Sequence, residues 1–194
     1  MKKVIIIPGL GDQVAYTKLA TKGWRKYGIE PVVYSMNWRD GEDFSLKLNN
    51  LIKFVDNLSK DGSKISIIGC SAGASAALNV FLERQDIIDK AVSICGRLRK
   101  GNQSGFRSFV NRSKTSPAFA ESVKLFEGKE KFLNEDQRKR ILTVRSFFYD
   151  KLVPASTAQI NGAQNIIIPT IEHSLSIYLT LLIFKKRVIK FLNS

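Results

Sequence analysis

The sequence predicts an α/β fold in which a mostly parallel six-stranded sheet carries helices on both faces. Three observations support this. Apolar runs of strand length recur at 3–7, 31–36, 64–69, 90–95, 141–146 and 164–168. Between them lie segments whose apolar residues are spaced for one face of a helix. Strands that alternate with helices in this way build parallel sheets, because each crossover must return over a face of the sheet.

The first run, Lys3-Val4-Ile5-Ile6-Ile7, stops at Pro8-Gly9. Segment 14–27 sets Val14, Leu19, Trp24 and Tyr27 among charged residues and predicts a helix. After the strand at 31–36, segment 43–59 spaces Leu48, Leu51, Ile52, Val55 and Leu58 at helical intervals. The run at 64–69 is followed by the helix-forming Ala74-Ser75-Ala76-Ala77-Leu78, within a helix expected at 72–84. The connection from Gly96 to Arg140 is too long for a plain crossover. Within it, Ser116-Pro117 supplies an N-cap and a first-turn proline, Phe119, Val123 and Phe126 share a face, and Gly128 is the expected helix end. Strands at 141–146 and 164–168 and a last helix at 174–192 complete the chain.

At 194 residues and 44% hydrophobic content, the chain can bury one sizeable core, and 1–194 is expected to be a single domain. Two cysteines, Cys70 and Cys95, make no disulfide framework and point to a reducing compartment. A single histidine and no cysteine pair at ligand spacing leave a zinc site almost nothing to be built from, so no metal or other cofactor is expected. The basic start is followed by an apolar run too short for a signal peptide, and Leu175–Phe184 is too short to cross a bilayer. Together these give the expectation of a cytoplasmic protein without a transmembrane segment.

Residues 69–73 read Gly69-Cys70-Ser71-Ala72-Gly73, a Gly-x-Ser-x-Gly corner between a strand and a helix. A serine held in such a corner stands exposed, and glycines on either side let neighbouring backbone approach. Chance produces this pattern in about one chain of this length in fifteen. A nucleophilic serine needs a base and an orienting acid, and elbow enzymes place them in the order Ser, Asp or Glu, His. The histidine must be His173, which follows Asn165-Ile166-Ile167-Ile168-Pro169, and Asp150 follows the run that begins at Ile141. Both sit past the carboxyl ends of strands, on the sheet edge where Ser71 emerges. Adjacent side chains point apart, so Cys70 is read as packing beneath the elbow.

In these motifs the chain resembles the α/β-hydrolase family over nearly its whole length. Pro8-Gly9-Leu10-Gly11-Asp12 is similar to the family's oxyanion loop, which implies the Leu10 and Ala72 amides as the two donors. Asp150-Lys151-Leu152-Val153-Pro154 resembles the acid turn, and Glu172-His173-Ser174-Leu175 the histidine loop. The chain departs from the family's frequent pattern at Pro8, Phe147 and Glu172, where His, Gly and Gly are common. The resemblance implies a minimal member lacking the family's first antiparallel hairpin, with 97–140 as a helical cap or lid. Aromatic residues of that insertion, Phe106, Phe109 and Phe119 among them, either roof an acyl-binding pocket or pin the insertion onto the core.

The implied activity is hydrolysis of a carboxylic ester or thioester through an acyl-enzyme on Ser71, with Asp150 and His173 completing the triad and no cofactor. An acyltransferase with the same triad is the alternative, and a non-catalytic relative that binds a small ligand or an anionic surface is a third reading. Net charge is +14, and residues 97–145 hold 13 Lys and Arg against 5 Asp and Glu. Such an excess attracts an anionic acyl substrate or permits peripheral membrane contact, or it is a solvated surface that serves solubility. No nucleic-acid-binding module is recognisable.

Overall fold

The computed structural model describes residues 1–105, 108–147, 150 and 152–194. Six strands form one sheet: β1 (Lys2–Ile7), β2 (Ile29–Val33), β3 (Ile65–Cys70), β4 (Ile88–Ile94), β5 (Ile141–Ser146) and β6 (Gln164–Ile168). They lie in the order β2-β1-β3-β4-β5-β6, and all five pairings are parallel. The order reverses between β1 and β3. The chain leaves β1 toward β2, then crosses back to β3 and proceeds the other way. A crevice opens at the carboxyl ends of strands at such a switch point, and the candidate site lies there.

The two-residue period of the strands divides the core into two layers. Ile5, Ile7, Ile65, Ile67, Ala91 and Ile141 face one way, toward a layer made by α2 (Phe44–Leu58), α3 (Gly73–Glu83) and α5 (Pro117–Glu130). Val4, Ile6, Ile68, Cys70, Val92, Ile94, Leu142, Val144 and Ile168 face the other way. That face is covered by α1 (Val14–Thr21), the 3-10 turn Lys22–Tyr27, α8 (His173–Leu182) and α9 (Lys185–Leu192). Three single-turn helices, α4 (Phe109–Ser113), α6 (Glu135–Lys139) and α7 (Ala155–Ala158), complete the described elements. They are too short to leave a periodic signal in the sequence.

Several boundaries differ from expectation for local reasons. β2 ends at Val33 rather than 36 because the Asp12 carboxylate takes up Ser35 Oγ and the amides of Met36 (3.4 Å) and Asn37 (3.0 Å). Pro31 is tolerated within it because β2 is an edge strand. The first helix breaks into a 3-10 turn at Lys22-Gly23, which buries Trp24 with its indole N–H donating to Leu181 O at 2.9 Å. The last helix breaks at Ile183-Phe184, whose amides both donate to Leu179 O, and α9 then turns Val188, Phe191 and Leu192 into the core. α5 passes through Gly128 and ends at Glu130. Its last turn is held because Glu130 pairs with Arg99 while its carbonyl accepts from Arg138 at 3.1 Å.

The 97–140 connection contains a helix, α5, that packs against α2 and α3. Its N-cap is the expected one, with Ser116 Oγ accepting from Phe119 N at 3.2 Å. The same hydroxyl donates to Trp38 O, tying α5 to the loop after β2.

Candidate active site

β3 delivers Ser71 into a sharp corner. Its φ is +52°, a left-handed conformation that a non-glycine residue adopts at a cost of about 1–2 kcal/mol. Neighbouring backbone over-determines the turn. A Cβ on Gly69 would lie 2.3 Å from Ala74 Cα, and one on Gly73 would lie 2.3 Å from Ile7 O. Both glycines are needed because backbone occupies the space a side chain would take. Gly9 is equally confined: its Cβ would stand 2.9 Å from Ser71 Cβ, so the Gly9-Leu10 loop lies against the serine.

His173 opens α8 and is buried with 7% of its surface exposed. Its Nε2 lies 2.8 Å from Ser71 Oγ, and its Nδ1 lies 2.6 Å from Asp150 Oδ2. The other carboxylate oxygen, Asp150 Oδ1, accepts from Leu152 N at 2.9 Å and Val153 N at 3.0 Å. One oxygen is thus spent on the turn and the other on the imidazole. The structure brings Ser71, His173 and Asp150 into one hydrogen-bonded line from three strand ends. Glu172 has a different task. Both of its oxygens cap α8, accepting from Ser174 N at 3.0 Å and Leu175 N at 2.7 Å.

Around this line is a cavity of about 470 Å³. The Gly9–Gln13 loop, Thr17, Arg39, Phe119 and the α8 residues Ser174, Ile177 and Tyr178 contribute to its wall. Among the described residues neither the Leu10 N–H nor the Ala72 N–H has a hydrogen-bond acceptor. Leu10 lines the cavity and Ala72 is the residue just before α3, where a helix's first amides are unpaired. Asp12 braces this loop. Its φ is +46°, and its carboxylate ties the loop to residues 35–37.

Of the three insertion aromatics, Phe119 lines the cavity. Phe109 stands behind it, with ring centroids 6.0 Å apart, and packs under the Arg97 guanidinium. Phe106 lies outside the described residues. Arg97 is 2% exposed and hydrogen-bonds to the carbonyls of Leu152 (3.2 Å) and Lys100 (2.8 Å), so it fastens the acid turn to the insertion. Burial pushes the Cys70 thiol up to about 12, which keeps it protonated beneath the elbow. The Cys95 thiol is also pushed up, by burial first and then by the Asp150 carboxylate. Among the described residues no group of three or more His, Cys, Asp or Glu could hold a metal ion.

Sequence reasoning missed Arg39, Tyr178 and Thr17 as cavity residues. Only the place of Tyr178 on the helix that His173 opens could have signalled any of them. Asp12 was visible in the loop motif, but its brace to residues 35–37 spans two strands and leaves no local pattern.

No family model and no curated protein matches the chain. Solved structures do. A hydrolase from Oleispira antarctica is similar over 100% of this chain and 92% of its own, at 15% identity and a TM-score of 0.70. An α/β-hydrolase enzyme from a sediment metagenome of the Mar Chica lagoon is similar over 98% and 90%, at 12% identity and a TM-score of 0.70. The chain has the α/β-hydrolase fold. Est1E from Butyrivibrio proteoclasticus is likewise similar to it, at 16% identity over 98% of this chain and 86% of that one, with a TM-score of 0.67. In this α/β-hydrolase fold every strand pairing among the described residues is parallel.

Proposed function

We propose that this protein is a serine hydrolase that cleaves a carboxylic ester or thioester through an acyl-enzyme on Ser71. One observation supports it above all: Asp150 Oδ2, His173 Nδ1 and Nε2, and Ser71 Oγ form a continuous line of contacts of 2.6 and 2.8 Å. Among the similar solved structures are one reported as a lipolytic enzyme and one described as a hydrolase, which fits the reading.

The contacts at Ser71 support the following course. Ser71 Oγ attacks the acyl carbon while His173 Nε2 accepts its proton. Asp150 keeps the Nδ1 proton in place and stabilises the imidazolium that results. Negative charge develops on the carbonyl oxygen, where the Leu10 and Ala72 amides are free to donate. Loss of one such donor typically costs about 3 kcal/mol in the barrier. His173 then returns the proton to the leaving alcohol or thiol. Water, activated by the same imidazole, resolves the acyl-enzyme and regenerates Ser71.

A series of p-nitrophenyl esters of increasing acyl length, run beside acyl thioesters, tests the reading. Ser71→Ala should lower turnover by at least about 10⁴-fold and change stability by less than about 1 kcal/mol. Retention of turnover close to that of the parent by Ser71→Ala would remove Ser71 from the chemistry.

A further inference from the structure

The two helical layers are unlike in surface chemistry. On the α2, α3 and α5 side, cations are matched by carboxylates: Lys47 with Asp40 (2.6 Å), Arg84 with Asp56 (2.8 Å), Lys129 with Glu83 (2.6 Å), and Arg99 with Glu130. The opposite layer is built from residues 13–27 and 173–190. Together these two segments hold eight Lys and Arg and no Asp or Glu, although Arg25 reaches Glu30 of β2 at 3.6 Å. Glu172, immediately before α8, spends both oxygens on that helix's first amides.

This acid-poor layer also exposes large apolar side chains. Tyr16, Leu19, Ile171 and Ile183 are 63%, 69%, 67% and 63% exposed, and Leu175 and Leu182 are about half exposed. They form a strip. Tyr16 and Leu19 are three apart on the outer side of α1, and Leu175, Tyr178 and Leu182 follow one stripe of α8. The two stripes meet where Tyr16 and Tyr178 pack edge to face, 6.3 Å between centroids. Tyr178, Ser174 and Thr17 also line the cavity that holds Ser71. The strip therefore starts at the cavity wall. It ends about 15 Å away, one α8 length, at Lys22, Lys185, Lys186 and Arg187. Lys185 Nζ would lie 3.7 Å from a Cβ on Gly23, which joins the cations of the 3-10 turn to those of α9.

An apolar strip beside a cation cluster, on a face where basic side chains outnumber the carboxylates Glu30 and Glu172, matches the surface of an anionic bilayer. Leucine, isoleucine and tyrosine enter the headgroup boundary while lysine and arginine meet the lipid charge. A soluble acidic partner would reward the cations and leave the exposed aliphatic residues unexplained. The geometry points to the α1, α8 and α9 face as a docking surface for an anionic lipid membrane, oriented so that the cavity wall rests at the lipid boundary. This holds whether or not Ser71 is a nucleophile, and it gives the acid-poor layer a role distinct from that of the 97–140 connection.

Vesicle sedimentation of the Ser71→Ala protein tests docking without any turnover. Binding to vesicles of three parts phosphatidylcholine and one part phosphatidylglycerol should be strong, and binding to phosphatidylcholine alone weak. Each cation near such a surface is worth about 1 kcal/mol. Lys22→Glu with Lys186→Glu should therefore weaken binding more than tenfold, whereas Lys53→Glu with Lys124→Glu, the same charge change on the opposite layer, should leave it within about twofold. Leu19→Asn with Leu182→Asn should weaken vesicle binding while leaving binding to polyglutamate unchanged. Equal losses from the two charge reversals, or vesicle binding indifferent to the leucine pair, would overturn the proposal in favour of total charge or an acidic macromolecule. Should a variant fail to fold, hydrogen exchange on the unaltered face decides. Anionic vesicles must protect residues 13–27 and 173–187 more than 44–58 and 117–130, and uniform or no protection contradicts docking.

Discussion

Ser71 leads into a helix that is buried from Gly73 through Phe81, whereas His173 leads a helix whose outer stripe faces solvent. The helix after Ser71 packs against α2 and α5, and its corner is fixed by backbone pressing on backbone at Gly69 and Gly73. His173 depends on directed polar contacts instead: Asp150 at Nδ1, and the Glu172 cap that starts α8. The two layers thus hold the two halves of one site by different means, packing on one side and hydrogen bonds on the other. Damage to the first should cost stability, and damage to the second should cost turnover.

The largest expected effect falls on the hydrogen-bonded side. Asp150→Asn retains an acceptor for Leu152 N and Val153 N, yet it presents His173 Nδ1 with a neutral partner that favours the wrong tautomer. Turnover should fall by roughly 10⁴-fold, with the thermal midpoint moved by only a few degrees. A loss of less than tenfold would mean that another acid orients the imidazole.

On the packed side, Gly73→Ala places a methyl 2.3 Å from Ile7 O and 2.7 Å from Pro8 O. Neither backbone oxygen can yield without moving β1 or the Pro8–Asp12 loop, so thermal and urea unfolding should report a loss of about 3 kcal/mol. A stable, active Gly73→Ala protein would contradict the idea that backbone packing fixes the corner. The smallest effect belongs to Glu172→Gln. The amide keeps one acceptor for the α8 amides and loses only the favourable charge at a helix N-terminus, about 0.5 kcal/mol, and ester turnover should stay within about threefold of the parent. If Glu172→Gln were the more damaging of the two acid variants, the assignment of Asp150 would be reversed.

The parts legible in the sequence were those whose signal is local. Gly69-Cys70-Ser71-Ala72-Gly73 states its own corner, because strand, glycines and helix are adjacent in the chain. The single histidine made the choice of His173 a matter of elimination, and the strand alternation gave the sheet and its two layers. Features that depend on distant partners were not legible. The end of β2 is set by Asp12, more than twenty residues upstream. The continuation of α5 past Gly128 rests on Glu130 meeting Arg99 and Arg138. The breaks at Gly23 and Ile183 are set by Trp24 reaching Leu181 O and by α9 turning inward, and no periodicity in either segment announces them. Arg97 reads in the sequence as one more surface charge of a basic insertion, and only the fold turns it into a buried tie to the acid turn.

The central claim is that Ser71 is a nucleophile activated by His173. A fluorophosphonate probe tests it directly, because such a probe bonds covalently to an activated serine hydroxyl and needs no knowledge of the natural substrate. Intact mass after incubation should rise by one adduct per chain, and peptide mapping should place it on Ser71. His173→Gln should slow the labelling by at least about 10²-fold, since the unassisted hydroxyl is a poor nucleophile at neutral pH. An unlabelled folded protein, an adduct on another residue, or labelling indifferent to His173 would contradict the account.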